Sequence, residues 1–490
     1  MGEDEIMALR RRKLETIRSN GIDPYPARAK RTHTTKEAVE FLDRSPDAHE
    51  IVSVAGRVTA MRRMGRASFL DLRDGSGRIQ AYFKQESLGV EGYERLLHTV
   101  DLGDFLGVEG SLFRTKTGEP TVEATSFKIL AKALRAPPEK WHGLQDIEVR
   151  YRQRYLDLMA NPEVRETFVT RSNIIQRIRR FMDARGYLEV ETPILQGAVG
   201  GAAARPFVTY HNALNRQQFL RISLELHLKR LVIGGFDKVY EIGRIFRNEG
   251  VSTKYNPEFT MLESYEAYSD YAVLMEMVEE MISVVAGDLL GTMLVGTAES
   301  EVDLSPPWPR IPLQDAIRER SGVDFDAYPD VEGLRRAAAE TGVPVEPSWG
   351  RGKIIDELLT RHVEPHLMQP TFLIDYPVEL SPLAKRKAEM PHLVERFELF
   401  IAGREVANAY SELNDPIDQQ ERLLEQARLR AAGDDEAEMA DEDFLIALEH
   451  GMPPTAGLGI GIDRLVMALT GRSSIRDVIL FPALRVKADA

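Results

Sequence analysis

The sequence predicts two folded parts: a small five-stranded β-barrel near the N-terminus, and a larger α+β domain built around an antiparallel sheet. Three observations predict this. Residues 50–134 alternate apolar and polar with a period of two, and turn residues punctuate the runs. Beyond residue 161, strand-like and helix-like stretches mix irregularly, without the regular winding of strand, helix and parallel strand. At 490 residues, the chain is long enough for two or three domains, each with its own core.

Taken in order, residues 5–19 carry no helix breaker and end in Ser19-Asn-Gly21, a C-terminal cap signal. Asp23-Pro-Tyr-Pro26 then enforces an extended linker. Val52, Val54, Val58 and Met61 are spaced for a first strand, and Ser68 to Arg73 for a second. Asp74-Gly-Ser-Gly77 is a hairpin turn, and Arg78 to Phe83 is the strand after it. Residues 86–99 read as a helix. Asp104 to Thr115 and Thr121 to Ala131 form a last hairpin around Lys116-Thr-Gly-Glu119. Three strands, a helix and two strands is the order of an OB-fold, which binds oligonucleotides on the face of its second and third strands. Pro137-Pro138 opens a linker. A long amphipathic helix runs from Glu163 to Arg185, and Gly186 to Pro193 turns into a strand. The expected division is a basic helix and linker at 1–46, the barrel at 47–136, a linker at 137–160 and the α+β domain at 161–490. Within the last, 323–350 reads as an insertion, rich in Pro and Gly, and Asp434-Asp-Glu-Ala-Glu438 as a solvated acidic loop.

Composition excludes several chemistries. There are no cysteines, so neither disulfides nor thiolate metal sites exist. Of the ten histidines only His362 and His366 take a His-x3-His spacing, and no HExxH pattern or cysteine pair accompanies them. No apolar run approaches the ~20 residues of a membrane span, and the acidic N-terminus is no signal peptide, so a cytoplasmic chain is expected. Net charge is −14, but unevenly spread: residues 1–150 carry 25 basic and 23 acidic side chains, the remainder 38 and 54. A nucleic-acid partner would meet the first part, where Arg10-Arg-Arg-Lys13 heads the N-terminal helix; a merely solvated helix face is the other reading of that cluster. No GxxxxGK[ST] phosphate loop is present, and Gly457-x-Gly-x-Gly461 lacks both the spacing and the βαβ setting of a dinucleotide fingerprint.

Two segments carry the chemistry. Tyr240-Glu-Ile-Gly-Arg-Ile-Phe-Arg-Asn-Glu249 is followed by Asn256-Pro-Glu-Phe-Thr-Met-Leu-Glu263, and Gly457-Leu-Gly-Ile-Gly-Ile-Asp-Arg-Leu465 lies near the C-terminus. They resemble motifs 2 and 3 of class II aminoacyl-tRNA synthetases, and Phe181 to Pro193 resembles motif 1, which implies a homodimer. The HIGH and KMSKS patterns of class I are missing. With an N-terminal OB domain, the resemblance narrows to the lysine, aspartate and asparagine subgroup. Gly200 to Phe207, His211 to Leu214, Glu398 to Phe400, Asn408 to Asn414 and Ser474 to Pro482 narrow it to the lysine-specific synthetases of bacterial type.

The resemblance implies ATP-dependent activation of lysine to an adenylate, then transfer to the 3′-terminal ribose of its tRNA. Two anions, a carboxylate and the α-phosphate of ATP, must meet, so cations must neutralise them. By resemblance Arg247 and Arg464 are catalytic, and Glu249, Asn256, Phe259, Glu398 and Glu405 join them in holding ATP. Arg464 and Phe259 would face the adenine from opposite sides. Glu398 and Glu405 would hold magnesium; their spacing permits one helix face or a strand pair across a turn. Gly201, Glu225, Tyr265, Asn408 and Glu412 would hold lysine, with Glu412 meeting its side-chain ammonium, because a buried ammonium needs a counter-charge. Phe69, Gln80 and Glu119 would contact the anticodon; for Phe69 alone, a place in the barrel core is the competing reading. Two departures stand out: Tyr255 where the family commonly has His, and Ser223-Leu224 ahead of Glu225. The alternatives are a lysine-activating, protein-modifying paralogue, which would lack the barrel, and a regulator without catalysis.

Overall fold

The computed structural model describes residues 2–46, 50–138, 144–297, 300–431 and 441–485. They divide into two compact units, Met1–Asp146 with Tyr155–Ala160, and Ile147–Arg154 with Asn161–Ala490. The acidic segment 434–438 lies outside the described residues. The helices Ile147–Arg152 and Arg154–Ala160 fall within the span expected as linker.

In the first unit, five strands close into a barrel: Ile51–Met64, Ala67–Arg73, Arg78–Lys84, Phe105–Arg114 and Pro120–Ala131, with the helix Gln85–Thr99 after the third. Alternation explains the closure. Val52, Val54, Leu70, Leu72, Ile79, Ala81, Phe83, Leu106, Val108 and Val122 all point into one core. Gly110 lies where the last hairpin pinches, with no room for a Cβ against the Glu123 backbone.

The N-terminal helix spans Glu3–Ser19, and Gly21 follows it with a positive φ of 71°. Its basic cluster is split. Arg10 is buried and donates to the carbonyls of Leu102, Ala133 and Arg135, while Lys13 pairs with Asp101 at 2.6 Å. Arg11 and Arg12 alone face solvent. A second helix, Thr35–Arg44, sits in the stretch expected as linker. Its signal is in the sequence: the Thr34 hydroxyl accepts from the Glu37 amide at 3.2 Å, and the Glu37 carboxylate accepts from the Thr34 amide at 2.8 Å.

The second unit is built on an eight-stranded sheet. Its order is 310–312, 371–377, 393–401, 404–411, 455–461, 258–267, 238–246 and 188–189. All pairings are antiparallel except the two outermost, which are parallel. The helices Pro162–Ala184, Tyr271–Leu290 and Ile462–Thr470 cover one face, packing on Leu262, Phe397, Leu399, Ala407, Ala409, Leu458 and Ile460. Residues 323–350 are folded: the helix Val331–Glu340 places Leu334 and Ala338 in an apolar cluster with Leu313, Ile317, Phe325, Ile354 and Leu358.

A charged trough on the open face of the sheet

The residues that alternate with that apolar set line the opposite face, and this places the site. From strand 258–267 come Phe259, Met261, Glu263 and Tyr265; from 393–401, Arg396 and Glu398; from 404–411, Glu405, Asn408 and Tyr410. Between them runs strand 455–461, whose residues on this face are Gly457, Gly459 and Gly461. The GxGxG spacing is thus a strand period of two, giving a floor without side chains. A Cβ on Gly457 would overlap the Glu412 carboxylate and come within 2.6 Å of the Tyr265 ring, and one on Gly459 within 2.7 Å of Met261. The trough holds about 320 Å³.

At one end the charges are acidic and deeply buried. Glu263, which the motif reading did not single out, accepts from Ser223 Oγ at 3.0 Å and the Leu224 amide at 2.9 Å. Burial, together with the charge of Glu225, pushes its carboxyl up to about 7. Glu225 accepts from the Tyr410 hydroxyl at 2.7 Å and from Lys229 Nζ at 2.6 Å. Gly201, at φ 83°, packs so closely on Glu225 and Ser223 that a side chain there would strike both. Glu412 lies behind Gly457, fully buried and ion-paired to Lys229; burial pushes its carboxyl well above the usual range, against the pull of that ammonium. Its Oε1 has no hydrogen-bond partner among the described residues. The departure at Ser223 therefore has a structural consequence, since its hydroxyl both supports Glu263 and accepts from the Glu225 amide at 3.1 Å.

Toward the other end arginines stand among acids, and the side chains are more open. The Arg247 guanidinium lies 5.3 Å over the Phe259 ring, and Arg464 lies 5.9 Å over Tyr255. Phe259, expected beside adenine, and Tyr255, which departs from the family pattern, thus each carry an arginine in this structure. Arg464 donates to Glu405 Oε2 at 2.9 Å and to the Glu405 carbonyl at 3.0 Å. Glu249 and Lys254 line the trough from an exposed loop. Asn256 is buried, and its amide is engaged by the Glu258 carbonyl and the Ala483 amide. Glu398 and Glu405 sit on neighbouring strands across the Ala402-Gly403 turn, the strand-pair option of the two open in the sequence. Glu398 accepts from the Tyr376 hydroxyl at 2.8 Å and from Arg396 at 2.5 Å; burial and the charge of Glu405 push its carboxyl up to about 7, against the pull of Arg396. Arg396 also donates to Asn408 Oδ1 at 3.0 Å, so one guanidinium serves residues expected to face metal and amino acid.

All the residues expected for ATP and amino acid therefore gather in one trough, with Glu412 just beneath its floor. The motif reading passed over Glu263, Arg396 and Tyr410. Each lies two positions from a residue it named, on the same face of the same strand, so the strand period carries the missing signal.

A second candidate surface lies on the barrel. Phe69 is half-buried outside the core and stacks on Tyr82, with centroids 4.4 Å apart and planes 13° from parallel. Gln80 and Glu119 share this outer face: Gln80 Oε1 accepts from Thr121 at 3.2 Å, and Glu119 pairs with Arg78 at 2.5 Å.

A family model described as class II tRNA synthetases (D, K and N) matches residues 146–485. The chain belongs to the class II aminoacyl-tRNA synthetases. This is an ATP-dependent ligase family, and its catalytic fold is the α+β domain described above. A second family model, for OB-fold nucleic acid binding domains, matches residues 52–130, the span of the barrel. The chain is 56% identical over 487 residues to a lysine–tRNA ligase of Moorella thermoacetica, covering 99% of both chains. It is 56% identical over 485 residues to that of Pelotomaculum thermopropionicum, covering 98% of this chain and 95% of the relative. With that of Dehalococcoides mccartyi strain BAV1 it shares 53% over 494 residues, covering 100% and 99%. No helix among the described residues is long and apolar enough to cross a membrane.

Proposed function

We propose that this chain is a lysine–tRNA ligase, which joins lysine to ATP as lysyl-adenylate with release of pyrophosphate, then transfers lysine to its tRNA. The observation that carries the choice of lysine is the charge at the buried end of the trough. Glu225, Glu263 and Glu412 supply three carboxylates against the one ammonium of Lys229. Free lysine brings two ammonium groups and one carboxylate. The two ammoniums balance the acid excess, and the carboxylate is left to Arg247 and Asn408. An acidic or neutral amino acid would leave buried acids without counter-charge.

In this reading Glu225 and the backbone at Gly201 take the α-ammonium, and Tyr265 and Glu412 the side-chain ammonium. Arg247 stands where it touches both the lysine carboxylate and the α-phosphate. Arg464 holds the γ-phosphate, and Phe259 supports adenine, with Glu249 and Asn256 in the loop over ATP. Glu398 and Glu405 suit magnesium. Among the described residues no cluster of three or more potential ligands exists, and magnesium bound by one or two carboxylates takes its remaining oxygens from phosphates and water. The bound ion would neutralise charge on the departing pyrophosphate.

The tRNA would dock its anticodon on the barrel face of Phe69, Gln80 and Glu119, where the exposed side of the Phe69–Tyr82 stack offers a platform for a base. The barrel favours this reading over a protein-modifying paralogue. A homodimer is supported by exposed apolar side chains near the motif 1 segment, Ile194, Leu195, Val208, Tyr210 and Leu214. A cytoplasmic location follows from the substrate. The deciding experiment is ATP–pyrophosphate exchange with magnesium, testing all twenty amino acids singly without tRNA. Exchange with lysine alone is the expected result; exchange with another amino acid, or none, would overturn the reading.

A further inference from the structure

Lys229 has no part in the reaction as read above, yet its environment is unusual for a lysine. It sits on the helix Glu225–Ile233 with its side chain wholly out of solvent. Nζ lies 2.6 Å from Glu225 Oε1 and in contact with Glu412 Oε2, with the rings of Tyr410 and Phe444 at 5.8 and 5.7 Å. A dry ammonium is costly without partners, and these two carboxylates hold it protonated against its burial.

The converse matters more for the site. Three buried carboxylates close together cannot all ionise unaided. The charge of Lys229 falls on the two that differ from Glu263 in their support. Glu263 is already held by Ser223 Oγ and the Leu224 amide. Glu225 has the Tyr410 hydroxyl on one oxygen and Lys229 on the other. Glu412 has Lys229 on Oε2 only, which leaves Oε1 beside Gly457 and Tyr265, two residues that line the trough.

We propose that Lys229 is a positioning residue for amino-acid selection: it pins Glu225 and Glu412, and so presents one oxygen of Glu412 to the side-chain ammonium of the substrate. The inference rests on the lysine-activation reading. The titratable groups facing Lys229 are Glu225 on its own helix, Tyr410 on strand 404–411 and Glu412 just beyond that strand's end; Glu263 and Tyr265 on strand 258–267 in turn face Glu412.

The test compares wild type, Lys229→Met, Glu412→Gln and the double variant in ATP–pyrophosphate exchange from pH 6 to 8.5, with folding followed by thermal denaturation. Loss of one partner of a buried charged pair should raise the lysine KM of Lys229→Met about 30-fold or more at pH 7, leaving the ATP KM within about twofold. That KM should fall with rising pH more steeply than in wild type, because Glu412 holds its proton more firmly once the Lys229 ammonium is gone. Since Lys229 acts through Glu225 and Glu412, the double variant should exceed Glu412→Gln by clearly less than the full Lys229→Met effect, the remainder being the share carried by Glu225. Lysine and ATP KM rising together on the wild-type pH profile would overturn the proposal, as would single effects that multiply in the double variant. Should Lys229→Met fail to fold, the double variant, which removes both charges, still decides: a lysine KM about 30-fold or more above that of Glu412→Gln would overturn the proposal. Absence of lysine-dependent exchange in wild type would instead overturn the lysine reading itself.

Discussion

On the barrel, strands Ala67–Arg73 and Arg78–Lys84 turn Leu70, Leu72, Ile79 and Phe83 inward, while Phe69, Gln80 and Tyr82 stand on the outside. In the catalytic unit, strands 258–267, 404–411 and 455–461 turn Leu262, Ala407, Ala409, Leu458 and Ile460 to one side and acids, Asn408, Tyr410 and glycines to the other. The same alternation builds both surfaces. They differ in depth. The barrel face is shallower: Phe69 and Tyr82 are partly exposed while Gln80 is covered, and stacking is what it offers. The trough is buried, so its charges interact strongly, shift one another's protonation and must balance. One surface suits uncharged bases; the other suits a small dication with a carboxylate.

Predictions that would break this contrast can be ranked. The largest effect should come from Arg247→Gln, because preorganised charge at the reacting anions is worth the most: exchange should fall about 10³-fold. A loss under tenfold would show that neutralisation in the trough does not drive the reaction. Gly457→Ala comes next. Its Cβ displaces Glu412 or Tyr265, and overpacking of about 1–3 kcal/mol should raise the lysine KM roughly 5- to 150-fold while sparing the ATP KM. Equal changes in both KM values would contradict the division of the trough into two ends. Phe69→Ala should leave exchange untouched and reduce tRNA charging; base stacking worth ~1–3 kcal/mol sets the scale. Normal charging would remove Phe69 from the tRNA interface.

The smallest effect is the most specific to burial. Glu263 holds its proton up to about 7, well above an ordinary carboxyl, because it is buried near Glu225. A substrate ammonium favours the ionised form, so lysine binding below that pH must expel a proton. The lysine KM should therefore fall severalfold as pH rises from 6 to 8, with the ATP KM flat. A Glu263→Gln variant should lose the pH dependence while its lysine KM rises.

Much of this was legible before folding. The barrel strands fall within one to three residues of the alternation that predicts them, because each strand buries one face against a single core. The motif residues gather in one trough because strand period and glycine spacing are local properties. What escaped the sequence was local in one case and global in the others. The helix Thr35–Arg44 carried its capping box in plain view. The burial of Arg10 depends on carbonyls some ninety or more residues away. Lys229 looks like any helix lysine until strands from distant parts of the chain bring Glu412 to it.

The sequence by itself determined the order of elements, the alternating faces and the side chains available for chemistry, since these follow from periodicity and residue type. Only the tertiary structure decided which charges share a dry space. Whether an acid is a solvated surface group or a counter-charge for substrate depends on its distance from water and from other charges, and neither is written in spacing along the chain.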